Sequence, residues 1–353
     1  MRLALGLRAH GWEPFVAGPE RSVIYPTLAR AGVPVARLSL DRGYRRPHRD
    51  ARALRGLTAM LRRERFALIH AHAAKAGVLG RLAARATRTP SAYSPHCFPF
   101  VRPTTPARRR AFVAIERWLG SHTDAILCVA EAERDAAREF RIAPSSRLHV
   151  VHNGSEPCAD VDADPELAAL AREGPVAAVI AVLRPQKAVD VFVEALPQVL
   201  GEVPEARFAI VGQGEMLDQL KLRVAELDLT GRVLFTPFVA PAARALACID
   251  VFVLPSAWEA FPIAVLEAMA CGVPQVTTDV GGTGEAVLDG ETGLLCPPGD
   301  PSALAQRMTL LLGDEGLRSR MGAAARRRHR ERFQTGRMVE ATAALYAAVA
   351  AAA

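Results

Sequence analysis

Apolar residues along this chain fall in short, β-branched runs, each followed by a loop and then by a stretch with the spacing of an amphipathic helix. In the first half the runs are Phe15–Ala17, Val33–Leu40, Ala67–His72, Ala92–His96, Ala125–Val129 and Leu148–His152. Helix-like segments such as Arg49–Arg65 and Ala107–Leu119 separate them. The second half repeats the unit with Val176–Leu183, Arg207–Val211, Val233–Phe235, Val251–Leu254 and Val276–Thr278, interleaved with helical patterns such as Val189–Leu200 and Met216–Leu227. Strands buried on both faces read as continuous apolar runs, and their alternation with helices predicts parallel sheets. Gly154–Gly174 is polar and acidic, has no strand pattern, and reads as a linker. The expectation is an α/β protein of two Rossmann-like, doubly wound domains, 1–160 and 161–353, with the last helix returning to pack on the first. Their strands' carboxyl ends would face each other across a cleft, the position at which such folds bind ligands.

The chain's 353 residues suit two domains, and half of them are apolar, enough for two cores. No apolar run approaches the roughly 18 residues of a membrane span. The opening segment is too short and polar for a secretory signal, since Arg8 and His10 interrupt it. Six cysteines, at 97, 128, 158, 248, 271 and 296, stand singly with no CxxC pair. That argues against zinc and against a disulfide framework, and favours a cytoplasmic location. Asp160, Asp162 and Asp164 have the spacing that opens a calcium loop, but Pro165 and Ala171 occupy the positions that need glycine and a bidentate glutamate. No metal is expected.

Net charge changes the picture more. The formal +7 divides into +16 over residues 1–150 and −9 over the rest. An arginine-rich composition cannot by itself give the halves opposite signs. The first half suits an anionic partner, a membrane face or a phosphorylated acceptor, although a solvated basic surface would read the same. Nucleic acid is disfavoured, because aromatics are sparse and no binding motif appears.

The candidate chemistry concentrates in Leu254–Glu285, LPSAWEAFPIAVLEAMACGVPQVTTDVGGTGE. A buried strand ends at Leu254 and a loop carries Trp258 and Glu259. Pro262 suits a first helical turn, and Gly272 followed by Pro274 suits a helix stop. The N–H groups of Ile263, Ala264 and Val265 would then be open to an anion. Glu259 before the helix and Glu267 one turn into it can reach different parts of one elongated ligand. Gly281, Gly282 and Gly284 allow close approach of backbone. After the first strand of the second half, Arg184 and Lys187 place two cations where a diphosphate would lie. Lys187 is one of only three lysines. Val211-Gly212-Gln213-Gly214 is a partial glycine fingerprint without its third glycine, and reads as a tight strand-to-helix turn.

These residues resemble a family. Leu254–Glu285 is similar to the signature of family 4 retaining glycosyltransferases of the GT-B fold, written E-G-F-P-x3-L-E-A-M-A-x-G-x-P. Glu259, Phe261, Pro262, Leu266, Glu267, Ala268, Met269, Ala270, Gly272 and Pro274 match, and Ala260 replaces a glycine. The family's G-R-L-x-x-x-K-G stretch resembles V-L-R-P-Q-K-A here, its cations assigned to Arg184 and Lys187 and its glycines lost. His72-Ala73-Ala74-Lys75-Ala76-Gly77, Ser94-Pro95-His96 and Val151-His152-Asn153-Gly154 are similar to acceptor-domain and hinge stretches of the same family.

The resemblance implies a sugar transfer from a nucleotide-diphosphate sugar to a hydroxyl of a lipid-linked or glycan acceptor, with retention of configuration and no cofactor or metal. Arg184 and Lys187 would hold the diphosphate, Glu267 the ribose and Glu259 the sugar, with Gly212, Ala260, Phe261, Pro262 and Ile263 around the donor. His96 would line the cleft near the reacting sugar. The setting would be cytoplasmic, peripheral on the inner face of the membrane. A sugar-nucleotide 2-epimerase and a non-catalytic nucleotide-sugar-binding protein remain as alternatives. The resemblance also implies a strand and glycine-rich loop ahead of the first helix, whereas Met1 already sits in that helix. The first sheet is therefore expected to be interrupted between Phe15–Ala17 and Ala67–His72, by one strand's width of roughly 9–10 Å.

Overall fold

The structure is a computed structural model that describes residues 1–40 and 46–352. Its contacts divide the chain into two compact units, Met1–His152 with Thr335–Ala353, and Asn153–Gln334. The division at 152/153 precedes the expected one at 160, because the chain is already bonded into the second unit at Ser155, whose N–H donates to the Phe333 carbonyl and whose hydroxyl bonds His329.

In the first unit, β1 (Val16–Pro19) and β2 (Val35–Leu38) form one parallel pair. A separate parallel sheet runs β3 (Ile69–His72), β4 (Ser91–Ser94), β5 (Ala125–Cys128), β6 (Leu148–Val150) in that order. The interruption expected between β1 and β3 is present: among the described residues no strand joins them. A cavity of about 310 Å³ lies there, lined by Ala17 and Gly18 of β1, Leu57 and Leu61 of the helix Pro47–Glu64, and Ile69 and Ala71 of β3. The helix Thr335–Ala351 belongs to this unit and buries Ala343, Tyr346 and Val349 with Leu7, Ala92, Ala125 and Leu127.

The second unit is a doubly wound sheet. Its strands are β7 (Val176–Ile180), β8 (Arg207–Val211), β9 (Val233–Thr236), β10 (Val251–Leu254), β11 (Gln275–Thr278) and β12 (Gly293–Cys296). All are parallel, in the order β12-β11-β10-β7-β8-β9. The chain winds outward from β7 in one direction and from β10 in the other, so the order reverses between those two strands. Ligands of such sheets bind outside the carboxyl ends at this reversal. β7 and β10 are buried along their whole length, which is why they read as uninterrupted apolar runs. Val179, Phe192, Leu196, Phe208, Ile210 and Val253 form the centre of the core.

Three expectations need correction. The stretch Gly154–Gly174 is not all linker: Pro165–Ala171 is a helix whose N-cap, Asp164, accepts hydrogen bonds from the N–H groups of Glu166 and Leu167. Asp164 is thus spent on a helix end. β12 was not anticipated, since its apolar stretch is only Leu294–Cys296, three residues set between Gly293 and Pro297. The cysteines are not all single: Cys158 and Cys271, 113 residues apart, form a disulfide. It ties the start of the second unit to the end of the helix Ile263–Cys271. Pairing over that distance leaves no mark in local spacing.

Candidate active site

The loops after β7 and β10 meet at the reversal of the second sheet. β7 ends at Ile180, and a single 3-10 turn, Pro185–Lys187, follows Arg184. The Gln186 side-chain amide donates to the Trp258 carbonyl at 3.0 Å, and the Ala257 N–H donates to the Gln186 carbonyl at 2.9 Å. This stitching brings Lys187 Nζ to 2.5 Å from Glu259 Oε1. The same oxygen accepts from Ser256 Oγ at 2.7 Å, and the Ser256 carbonyl accepts from Thr278 Oγ1 at 2.6 Å. The Glu259 side chain is only 8% exposed, so its charge requires these partners.

Two glycines make room for this arrangement. At Gly281, with φ +55°, a β-carbon would stand 2.0 Å from the Glu259 carbonyl. At Gly212, with φ +149°, it would stand 1.9 Å from the Ala181 carbonyl. Both let neighbouring loops close on each other, so Gly212 acts first on the loop after β7 and offers a ligand only its backbone.

The helix Ile263–Cys271 begins beside this loop. Pro262 is its N-cap, extended at φ −76° and ψ 118°, rather than its first helical residue. A proline offers no side-chain cap, so the first-turn N–H groups keep the anion-binding character of an open helix start. Ile263 is 42% exposed at that end, while Phe261 and Pro262 are buried. Phe261 is held by Asn153, whose amide donates to its carbonyl at 2.9 Å, and by Phe333 at 5.4 Å between ring centres. Phe261 and Pro262 therefore shape the loop from inside the protein. Glu267 is half-buried one turn along the helix, and Ala260 half-buried beside Glu259. Gly272, at φ +75°, ends the helix as the sequence implied.

Arg184 is exposed and three residues before Lys187. The family pattern separates its arginine and lysine by five positions. Five before Lys187 stands Val182, 51% exposed and two residues beyond the end of β7. The cation has moved two residues along the loop relative to the pattern.

His96 lies in the first unit, after β4. It and Cys97 are both left-handed, with φ of +51° and +81°, an uncommon conformation for side-chain-bearing residues. The turn is pinned from beneath by Glu133, which is 6% exposed. Glu133 Oε1 accepts from the Cys97 N–H at 2.5 Å and Oε2 from the Val129 N–H at 2.8 Å. His96 Nε2 lies 3.0 Å from His72 Nδ1, with the rings stacked at 5.3 Å. His72 in turn lies 4.0 Å from His70, which bonds Tyr346 through Nδ1 and Ser94 Oγ through Nε2. Burial lowers the pKa of His70 well below the ordinary value, and that of His96 as well. His72 is lowered too, by its packing and by His96, but its outer edge is open to water, which limits the effect. Sequence reasoning missed His70, Glu133 and Ser256. The alternate placing of His70 and His72 on one strand, which puts both on one face, was a signal for the first.

Two family models together match nearly the whole chain: a glycosyl transferase 4-like domain over residues 1–154 and glycosyl transferases group 1 over residues 161–328. An Escherichia coli UDP-Gal:alpha-D-GlcNAc-diphosphoundecaprenol alpha-1,3-galactosyltransferase is 26% identical over 76% of this chain and 72% of its own length. A GDP-mannose-dependent alpha-(1-6)-phosphatidylinositol monomannoside mannosyltransferase of Mycolicibacterium smegmatis is 33% identical over 72% of this chain and 69% of its own. The chain spans between 58% and 72% of the length of the first curated relatives it matches. Among solved structures, HepE of Anabaena in complex with UDP superposes with a TM-score of 0.82 at 21% identity, over 98% of this chain and 96% of that one. A doubly wound sheet, a glutamate-bearing helix start at its reversal and these likenesses agree: the chain belongs to the family 4 glycosyltransferases of the GT-B fold.

Proposed function

We propose that the chain transfers a sugar from a nucleotide-diphosphate sugar to a hydroxyl of a lipid-linked or polysaccharide acceptor, with retention of configuration and without a metal ion. The observation that carries this reading is the gathering of Arg184, Lys187, Glu259 and the open helix start at Ile263 where the second sheet reverses. Lysine has three donors, so Lys187 can keep Glu259 while contacting a phosphate oxygen. Together with Arg184 and the helix start it offsets the charge that grows on the departing phosphate, each charged hydrogen bond contributing about 1.5–3 kcal/mol. These groups take the place a divalent cation would fill. Glu259 Oε1 is occupied by Lys187 and Ser256. Oε2 is therefore the oxygen assigned to a sugar hydroxyl, while Glu267 receives the ribose. His96 is assigned to the reacting sugar from the first unit. The leaving phosphate would help deprotonate the acceptor hydroxyl on the face it vacates.

The acceptor class follows from two supports. The E. coli and mycobacterial relatives carry diphosphoundecaprenol and phosphatidylinositol in their names. Residues 1–150 carry +16, which suits an anionic lipid head. The corresponding location is the cytoplasmic face of a membrane, peripherally bound; among the described residues no helix is long and apolar enough to cross one.

The decisive experiment is a thermal-shift screen against UDP, GDP, ADP and their sugars, followed by transfer assays with and without a chelator. A cognate donor at 100 times its dissociation constant adds about 2.7 kcal/mol of stability. No shift with any nucleotide sugar would sink the donor site. Loss of turnover with chelator would sink the metal-free step. Epimerised donor in the absence of acceptor would replace transfer by 2-epimerisation.

A further inference from the structure

The turn that presents His96 is built by residues that the reaction as proposed does not use. Its two left-handed residues have no glycine to relieve them, so something must hold the backbone there. Glu133 does so with both carboxylate oxygens: one is given to the Cys97 N–H in the turn, the other to the Val129 N–H at the end of β5. The Arg102 guanidinium adds a third restraint, donating to the Cys97 carbonyl at 3.2 Å. The Glu133 carboxylate sits at 6% exposure in the first turn of the helix Glu131–Glu139, where the helix start favours its charge.

The His96 ring is held from its other side. His72 Nδ1 and His96 Nε2 share one hydrogen bond of 3.0 Å. Between two neutral imidazoles such a bond takes one N–H, so the tautomer of one ring dictates that of the other. If His72 donates, His96 carries its own proton on Nδ1 and offers a ligand a donor. If His96 donates, Nδ1 offers a lone pair. Behind His72, His70 is clamped at both nitrogens by Tyr346 and Ser94, so the stack has a fixed inner end.

We propose that Glu133 and His72 are positioning residues for His96: Glu133 holds the His96–Cys97 turn left-handed, and His72 fixes which ring nitrogen of His96 carries the proton. Their effect on transfer rests on the reading above that places His96 at the reacting sugar; their effect on the ring itself does not.

The experiment is ¹⁵N NMR of the histidine rings in the whole protein, with transfer kinetics alongside. In the unaltered protein His96 shows one neutral tautomer. His72→Phe keeps the stack but removes the hydrogen bond, and His96 then shows both tautomers. Glu133→Gln keeps one acceptor and turns a donor toward the other N–H, so the His96 signals multiply or broaden. Both variants lose about tenfold in kcat while donor KM stays within about twofold, because the donor groups of the second unit are untouched. Should His72→Phe fold poorly, His72→Gln serves, and its partial restoration of a single tautomer supports the hydrogen bond. A single, unchanged His96 tautomer in the folded His72 variant overturns the role of His72, and unchanged His96 signals in Glu133→Gln overturn that of Glu133. His96→Ala with unaltered transfer would instead remove His96 from the reaction, leaving the NMR result to decide the positioning.

Discussion

Lys187 and Glu259, 72 residues apart in the chain, are joined by a 2.5 Å ion pair in which the glutamate is almost wholly covered. The pair links a cation assigned to the donor diphosphate with a carboxylate assigned to the sugar, so neither can be altered alone. Lys187→Ala leaves a covered carboxylate without its counter-charge, and should weaken nucleotide-diphosphate binding by about tenfold or more. Glu259→Gln keeps the Ser256 hydrogen bond and frees Lys187, so diphosphate binding should change by less than about threefold while turnover falls. Calorimetry with the diphosphate and with the intact donor separates the two. Energies that simply add in the double variant would mean that the pair is not coupled in solution.

Arg184 stands two positions later than the family's arginine, with exposed Val182 in the vacated place. If the longer arginine side chain reaches back to the phosphates, Arg184→Ala costs about tenfold in nucleotide affinity, the scale of one charged hydrogen bond. Val182→Arg in that background should recover most of the loss, since it returns the five-residue spacing. Affinity unaffected by Arg184→Ala would make Arg184 a surface residue.

The arrangement of the second unit was readable because its physics is local. β7 and β10 are buried on both faces and appear as apolar runs, and the helix Ile263–Cys271 announces its end with a left-handed Gly272. What escaped was long-range. The Lys187–Glu259 pair, the Cys158–Cys271 disulfide and the Glu133 brace join residues whose separation no periodicity encodes. Gly281 was legible as a close approach, but what approaches it is the Glu259 carbonyl.

The disulfide closes a loop of 113 residues. Disulfides typically stabilise a fold by about 2–4 kcal/mol, and restriction of the unfolded chain puts a loop of this length at or just above the upper end, at about 4.7 kcal/mol. Cys158→Ser should lower the unfolding midpoint of the protein accordingly, and dithiothreitol should lower the unaltered protein to the same value. Equal midpoints for oxidised protein and variant would show that the bond does not form in solution.

Acid should weaken the fold through its buried histidines. His329 is 1% exposed and shares a 2.8 Å hydrogen bond with Ser155, and burial lowers its pKa below the ordinary 6.5. His70 is lowered further by the same cause. An unfolded histidine takes up a proton near pH 6.5 while the folded one resists. Stability is therefore whole above pH 6.5 and declines as pH falls toward the folded values, by up to about 1.4 kcal/mol per pH unit for each group. Urea midpoints at pH 7.5 and 5.5 measure this. His329→Gln should lose less between the two than the unaltered protein, and an equal loss would exclude His329 as a contributor.

The proposed contact with an anionic membrane is assigned to the helix Pro106–Gly120. Arg108, Arg109 and Arg110 are exposed in its first turn and a half, and Ile115 and Trp118 are 45% and 49% exposed further along. The Arg85 guanidinium lies 5.1 Å over the Trp118 ring, so the aromatic side chain is itself bordered by a cation. Apolar side chains edged with arginine suit the head-group region, where the rings enter the interface and the cations meet lipid phosphates. Near such a surface each basic residue contributes about 1 kcal/mol. Replacing the three arginines with glutamine should therefore cost about 3 kcal/mol, or about a hundredfold in partitioning onto anionic vesicles. Trp118→Ala should reduce binding at every salt concentration, whereas the arginine variant should differ most at low salt, because screening already removes part of its contribution at high salt. Vesicle sedimentation with phosphatidylglycerol and with phosphatidylcholine makes the comparison. Equal binding to both lipids, or anionic binding unaffected by the triple replacement, would move the membrane contact elsewhere on the basic first unit or remove it altogether.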